Sequence, residues 1–358
     1  MFNKTNEMLD RCIEVGTPAF HMVVHQGSKK VFERKYGVKN SDGDPIVGDE
    51  LYNIYSCSKP ITCAAALTLL EDGKISLADP VAEYIPAFAD MKVKCGGSVV
   101  KAQNRMTLYH LFTMTSGLNY NVDHEAVRCG IAETEGRAPT VKMMDYIAKI
   151  PLEFEPGGSW WYGLSHDVLA AVVEVVSGED FDTYVRRRIF DPLGMKSATY
   201  KSSDVLLASM PDRYLFKDGV HNIVSKRNET YVLGLEYQSG GAGCICSVSD
   251  YVKFLDGLKD GRIISKDTLE IMTKDQLNDM QRAVFGKRSE GYSYGLGVRT
   301  PVAGEGRTDF GWDGAAGAYQ ATDIGNDITV FYAQHVCASP VEAFRCDFIE
   351  AVKADILK

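Results

Sequence analysis

Ser56-Cys57-Ser58-Lys59 sets a hydroxyl and an amine three residues apart. On a helix, residues three apart share a face, so the Lys59 amine can approach the Ser56 hydroxyl. A serine hydroxyl is a weak nucleophile until a base takes its proton, and a lysine serves as that base when burial or a cationic neighbour lowers its pKa. The start of a helix also favours negative charge near Ser56. Taken alone, the same four residues read more simply as a helix N-cap followed by a surface lysine. Ser98-Val-Val-Lys101 has the same spacing, but it follows Gly96-Gly97 in a polar, β-like neighbourhood where nothing would bury the amine.

A second group stands about 100 residues further on, in Pro156-Gly-Gly-Ser-Trp-Trp-Tyr162-Gly-Leu-Ser-His-Asp-Val-Leu-Ala170. Tyr162 precedes a helix, and a phenolate beside a lysine ammonium is a plausible general base because the positive charge lowers the phenol pKa. The bland alternative is an aromatic anchor beside Trp160 and Trp161. The third group is Phe310-Gly-Trp-Asp-Gly-Ala-Ala-Gly317, a glycine-rich turn leading into a strand. Such a strand can lie along a substrate and offer a backbone N–H to an oxyanion; otherwise it is a tight turn.

The elements that must position these groups fall in a simple order. One short helix opens the chain, and residues 19–36 hold two β-rich runs around Gln26-Gly27-Ser28, a hairpin. Apolar Ile61, Ala65, Leu69 and Leu70 predict a buried helix from Lys59 to Glu71, stopped at Asp72-Gly73. Helices are expected at 107–114, 140–150, 166–177 and 180–190, then at 249–258. Strands follow at 293–299, 317–323 and 327–334, and a helix closes the chain at 340–356. Strands at both ends with helices between them predict an α+β fold, an antiparallel sheet flanked by helices with a mostly helical insertion. The expected domains are 1–74 with 236–358 as a discontinuous sheet domain, and 75–235 as the inserted one.

The 358 residues are 45% hydrophobic and 24% charged, which excludes disordered, collagen-like and coiled-coil classes. A net charge of −9 is the wrong sign for binding phosphate backbones, so nucleic acid is not an expected partner. Nine cysteines without framework spacing read as reduced thiols. The charged N-terminus lacks a signal-peptide core and no stretch is apolar enough for a bilayer, so a soluble, cytoplasmic protein without a membrane partner is expected. There is no Gly-x-Ser-x-Gly elbow, no His-Glu-x-x-His and no phosphate-binding glycine loop.

The order Ser-x-x-Lys, Pro-Gly-x-x-Trp-x-Tyr, Gly-Trp-x-Gly resembles the serine β-lactamase and penicillin-binding-protein superfamily. Within it, the likeness is to the class C-like branch with family VIII carboxylesterases and lovastatin-type acyltransferases. Leu70–Pro80, Thr107–Leu118, Asp191–Met195 and Ser239-Gly-Gly-Ala-Gly243 resemble the family's recurring stretches, so the likeness covers nearly the whole chain. The resemblance implies a β-lactamase/transpeptidase-like fold, Ser56 as the acylated nucleophile, Lys59 and Tyr162 as the proton-transfer pair, and the N–H groups of Ser56 and Ala315 as the oxyanion hole. It implies no metal and no organic cofactor.

Two departures bear on the substrate. The family's Tyr-x-Asn is here Tyr162-Gly163-Leu164, and its Lys-Thr-Gly or His-Thr-Gly is here Trp312-Asp313-Gly314. Both remove groups that recognise β-lactams or peptidoglycan, and an aspartate facing the cleft would repel a carboxylate. The expected function is therefore a serine hydrolase acting on carboxylic esters, with acyl transfer as an extension. The rivals are a β-lactamase or D-amino-acid peptidase and a non-catalytic binding protein that keeps the fold. Tyr162, Trp160, Trp161, Trp312 and Tyr319 are expected to wall an aromatic pocket for a small ester or acyl substrate, with Leu164, Asp313 and Gly314 beside it. His166, four residues after Tyr162, is a further candidate for the cleft. The sequence has no signal for oligomeric state.

Overall fold

The computed structural model describes residues 2–287 and 289–357. A helix, Asn3–Glu14, is followed by β1 (Ala19–Gln26) and β2 (Lys29–Gly37). They turn at Gly27 and Ser28, both with positive φ as a two-residue type I′ hairpin requires. A short β3 (Leu51–Asn53) leads into the helix Ser58–Glu71.

The middle of the chain holds helices at Leu108–Phe112, Glu125–Glu133, Thr140–Ile147, Ser165–Ser177 and Phe181–Val185. It also holds two hairpins, β4 (Lys92–Cys95) with β5 (Ser98–Lys101), and β6 (Arg213–Lys217) with β7 (Val220–Val224). The β6–β7 hairpin was not expected, and of the other only 98–101 read as β-like: β5 is exposed throughout and β6 and β7 are only partly buried, so the alternation that marks a half-buried strand is weak.

β8 (Ile245–Ser247) pairs with β3, and the helix Val248–Lys259 follows it. The chain then supplies β9 (Tyr292–Tyr294), β10 (Arg299–Pro301), β11 (Phe310–Asp313), β12 (Tyr319–Asp323), β13 (Ile328–Ala333) and β14 (Val336–Cys337). The run expected as one strand over 293–299 is a hairpin instead. It breaks at Gly297 (φ +86°), where a Cβ would stand 2.2 Å from Cys63 Sγ. The closing helix is shorter than 340–356. It covers Phe348–Ile356, after two 3₁₀ turns separated by Phe344 (φ −139°).

Seven strands form one antiparallel sheet in the order β2-β1-β13-β12-β11-β10-β9, built by both ends of the chain. Both faces of its centre are covered, and the strand period of two decides which side chain goes where. Phe20, Met22, Val24, Val330 and Tyr332 pack with Ile349 and Val352 of the last helix. Val23, Phe331 and Ala333 point the other way into the main core, where Tyr251 stacks on Phe331 at 4.1 Å between centroids. All nine cysteines are unpaired. Among the described residues no helix is long and apolar enough to cross a membrane.

Candidate active site

Ser56 lies in a single 3₁₀ turn, Tyr55–Cys57, that runs directly into the helix Ser58–Glu71. Tyr55 adopts φ +48°, a left-handed conformation that is costly for a residue with a Cβ. The surroundings hold it there. Ser58 Oγ donates to the Tyr55 carbonyl at 2.5 Å and accepts the Cys244 N–H at 3.0 Å, while Tyr251 donates to the Cys57 carbonyl at 2.7 Å. Cys57 itself is buried, and burial pushes its thiol up, so it is not an activated neighbour.

Ser58 through Leu69 are all buried, so this helix is enclosed on every side and carries Lys59 inward in its first turn at 0% exposure. Three acceptors surround the Lys59 amine: Ser56 Oγ at 3.2 Å, Tyr120 OH at 2.9 Å and the Gly241 carbonyl at 2.7 Å. That carbonyl can come so close because the loop beside it lacks side chains. A Cβ on Gly240 would lie 2.3 Å from the His166 carbonyl oxygen, and one on Gly241 2.4 Å from Asp167 Oδ2. Asp167, in the first turn of Ser165–Ser177, accepts Ser239 Oγ at 2.6 Å and Tyr237 OH at 3.2 Å. Burial pushes its carboxyl up, against the opposing pull of the Ser239 hydrogen bond and the Lys59 charge.

Two tyrosines meet the lysine in different ways. Lys59 Nζ stands over the Tyr162 ring, 4.5 Å from its centroid, while the Tyr162 hydroxyl accepts the Trp312 Nε1–H at 3.2 Å. Tyr120, which sequence reasoning passed over, presents its hydroxyl to the amine directly, and its ring lies 5.5 Å from that of Tyr162. Burial, then Tyr162 and Asp167, push the Tyr120 phenol well above its ordinary value, so it stays protonated. The only signal for Tyr120 was its place two residues after Ser-Gly-Leu118, which has no local chemical meaning.

Ser56, Tyr120, Tyr162, Asp313, Gly314 and Ala315 line one cavity of about 540 Å³. Its aromatic wall consists of Tyr55, Tyr120, Tyr162 and Tyr231. None of the expected tryptophans is part of it. Trp312 and Trp160 are buried behind Tyr162 with Phe285 and Tyr294, and Trp161 is 48% exposed outside. Tyr319 is fully buried against Phe348 and Arg299, because the pleat of β12 turns it away from the cleft. Leu164 is in the main core as the residue capping Ser165–Ser177. His166 is equally enclosed, with Nε2 at 3.4 Å from both Cys63 Sγ and the Phe112 carbonyl oxygen. Burial, then the Lys59 charge, push its imidazole down to about 3.

Asp313 faces the cavity as an ion-paired group, 2.9 Å from Arg299 and 3.2 Å from Arg345. The glycine turn that holds Ala315 needs its glycines. A Cβ on Gly314 would stand 2.4 Å from the Ile54 carbonyl oxygen, and Gly317 takes φ +86°.

The sequence profile of the family described as Beta-lactamase matches residues 7–345. The chain is 27% identical to Esterase EstB of Burkholderia gladioli over 310 residues, 78% of this chain and 74% of that one. It is also 27% identical to the ML-236A carboxylate methylbutanoyltransferase of Penicillium citrinum, over 69% of this chain and 63% of that one. Among solved structures, EstCE1, described as a hydrolase with promiscuous acyltransferase activity, superposes with a TM-score of 0.82 at 20% identity. The match covers 99% of this chain and 98% of the other.

Proposed function

Because the chain belongs to the Beta-lactamase family, we propose that it is a serine hydrolase of carboxylic esters that works through an acyl-enzyme on Ser56. The observation that carries this reading is the buried Lys59 amine 3.2 Å from a serine hydroxyl that opens onto the cavity. The relatives named as an esterase and as an acyltransferase support it.

In the proposed cycle the Lys59–Tyr162 pair takes the Ser56 proton as Oγ attacks the ester carbonyl, with the Lys59 amine oriented by Tyr120 and the Gly241 carbonyl. Negative charge develops on the carbonyl oxygen, and the Ser56 and Ala315 N–H groups receive it. Tyr162, whose ring lies against the Lys59 amine, gives its phenolic proton to the departing alkoxide and recovers one from Lys59, so the proton taken from Ser56 ends on the alcohol. Water then attacks the acyl-enzyme and the acid leaves; a second alcohol in its place gives acyl transfer. An alkoxide leaves more readily than an amine, so this set suffices for esters without the family's amide-recognising asparagine. The nine unpaired thiols support a cytoplasmic setting.

The test is intact-mass spectrometry with 4-nitrophenyl acetate and butyrate beside Ser56→Ala, with and without an added alcohol. An acyl adduct and turnover that vanish in the variant are expected. Turnover that survives it, or none in either protein, overturns the reading.

A further inference from the structure

We propose that Arg213 is a specificity-determining residue of this cavity, and that the preferred substrates are esters carrying a free carboxylate. The inference rests on the Ser56 ester chemistry above and adds the substrate's charge. Among the described residues four charged side chains line the cavity: Arg213, Asp313, Glu342 and Arg345. Three of them balance one another. Asp313 lies 3.2 Å from Arg345 and 2.9 Å from the buried Arg299, and Arg345 lies 4.0 Å from Glu342. Arg213 stands apart from this group. Among the described residues no carboxylate is within ion-pair distance of it, and the adjacent Asp212 is paired with Lys226 at 3.2 Å.

The placement of Arg213 ties it to the reacting centre. It is the first residue of β6, and its Nη1 donates a hydrogen bond to the hydroxyl of Tyr55, the residue before the nucleophile. Its Nε is buried without an acceptor. A half-buried guanidinium with one neutral partner and no counter-charge keeps most of its desolvation cost uncompensated. A carboxylate entering the cavity supplies the missing charge, and the planar guanidinium suits a carboxylate better than a point cation would. Leu215 and Val224 of the same hairpin line the cavity beside it, so the wall offers a short apolar stretch together with the cation. Asp313 does not oppose this, because its charge is held by Arg299 and Arg345.

The experiment compares kcat/KM for two matched pairs, with the Ser56→Ala rate subtracted as background. Mono-4-nitrophenyl adipate against 4-nitrophenyl hexanoate places the carboxylate on the acyl side, and 4-carboxyphenyl butyrate against phenyl butyrate places it on the alcohol side. The wild-type enzyme is expected to favour the anionic member of at least one pair by about tenfold to a hundredfold, the size of one charge-assisted hydrogen bond. Arg213→Gln is expected to collapse that ratio towards one, and Arg213→Lys to restore part of it. Where Arg213→Gln does not fold, inhibition of butyrate ester hydrolysis by adipate in the wild type, weakened by salt, replaces it, with hexanol as the neutral control. Anionic and neutral esters turned over alike, or a ratio untouched by Arg213→Gln, overturns the proposal and leaves the Ser56 chemistry standing. Absence of any Ser56-dependent turnover overturns both.

Discussion

Two regions that meet at the cavity have opposite character. The support behind Ser56, formed by the helix Ser58–Glu71 and the Ser239–Gly243 loop, is buried, and the Lys59 amine there has three acceptors. The β6–β7 hairpin is half exposed and brings to the cavity Arg213, which has no carboxylate within ion-pair distance among the described residues. The first kind of region suits a reaction that tolerates little misplacement, since reacting groups must be held within fractions of an ångström. The second suits recognition, where loosely packed surface elements vary at low cost to the core.

The comparison is sharpened most by removing the reacting groups. Ser56→Ala and Lys59→Met are each expected to lower ester kcat/KM by about 10³-fold or more, with the double variant little worse than either single one, because groups acting in one step are not additive. Next come the two tyrosines. Tyr162→Phe is expected to cost about 10² to 10³-fold in kcat as the group that hands back the proton. Tyr120→Phe removes a positioning contact and is expected to cost about tenfold, with a change in the pH profile of kcat/KM that Tyr162→Phe does not copy. Equal losses in both would break the assignment of the two roles.

A pair of glycines separates the two regions by stability. Gly241→Ala forces a Cβ to 2.4 Å from Oδ2 of Asp167, a carboxylate whose other oxygen is held by Ser239 and Tyr237, and about 2 to 3 kcal/mol of destabilisation is expected in urea melts. Gly219→Ala, in the β6–β7 turn at φ +79° with nothing within 4 Å, is expected to cost about 1 kcal/mol, from backbone strain alone.

Acid probes the buried side once more. The imidazoles of His166 and His335 are both pushed down to about 3, so they fold neutral, whereas the unfolded chain protonates them near 6.5. Between those values the unfolded state binds more protons. Their contribution is therefore complete above about pH 6.5 and falls as pH drops towards 3, by about 2 kcal/mol for each group at pH 5. A melting temperature that does not fall between pH 7 and 5 would contradict this. The smallest effect is expected in the hairpin region, where Leu215→Ala should change KM for butyrate esters only a few-fold.

Much of the molecule was legible in the sequence. The Gly27-Ser28 turn, the enclosed helix after Ser56 and the approach of Lys59 to Ser56 follow from rules that span two to four residues. The same local rules failed wherever the answer depended on what packs opposite. Tyr319, Leu164 and His166 were expected at the cleft, but the strand pleat and the helix face turn them into the core. The tryptophans were expected on the pocket wall because they flank Tyr162 and the glycine turn in sequence, yet Trp312 and Trp160 support Tyr162 from behind.

What the sequence determined by itself is the chemistry available, a serine and a lysine one helical turn apart, because that geometry belongs to a single element. Tertiary structure decided which hydroxyl meets the lysine, from Tyr120 at 61 residues' separation, and which cation faces the cavity, from Arg213 at 158 residues from Tyr55. At such separations the backbone carries no periodic constraint. Only the packing of one element against another brings those side chains to the same place.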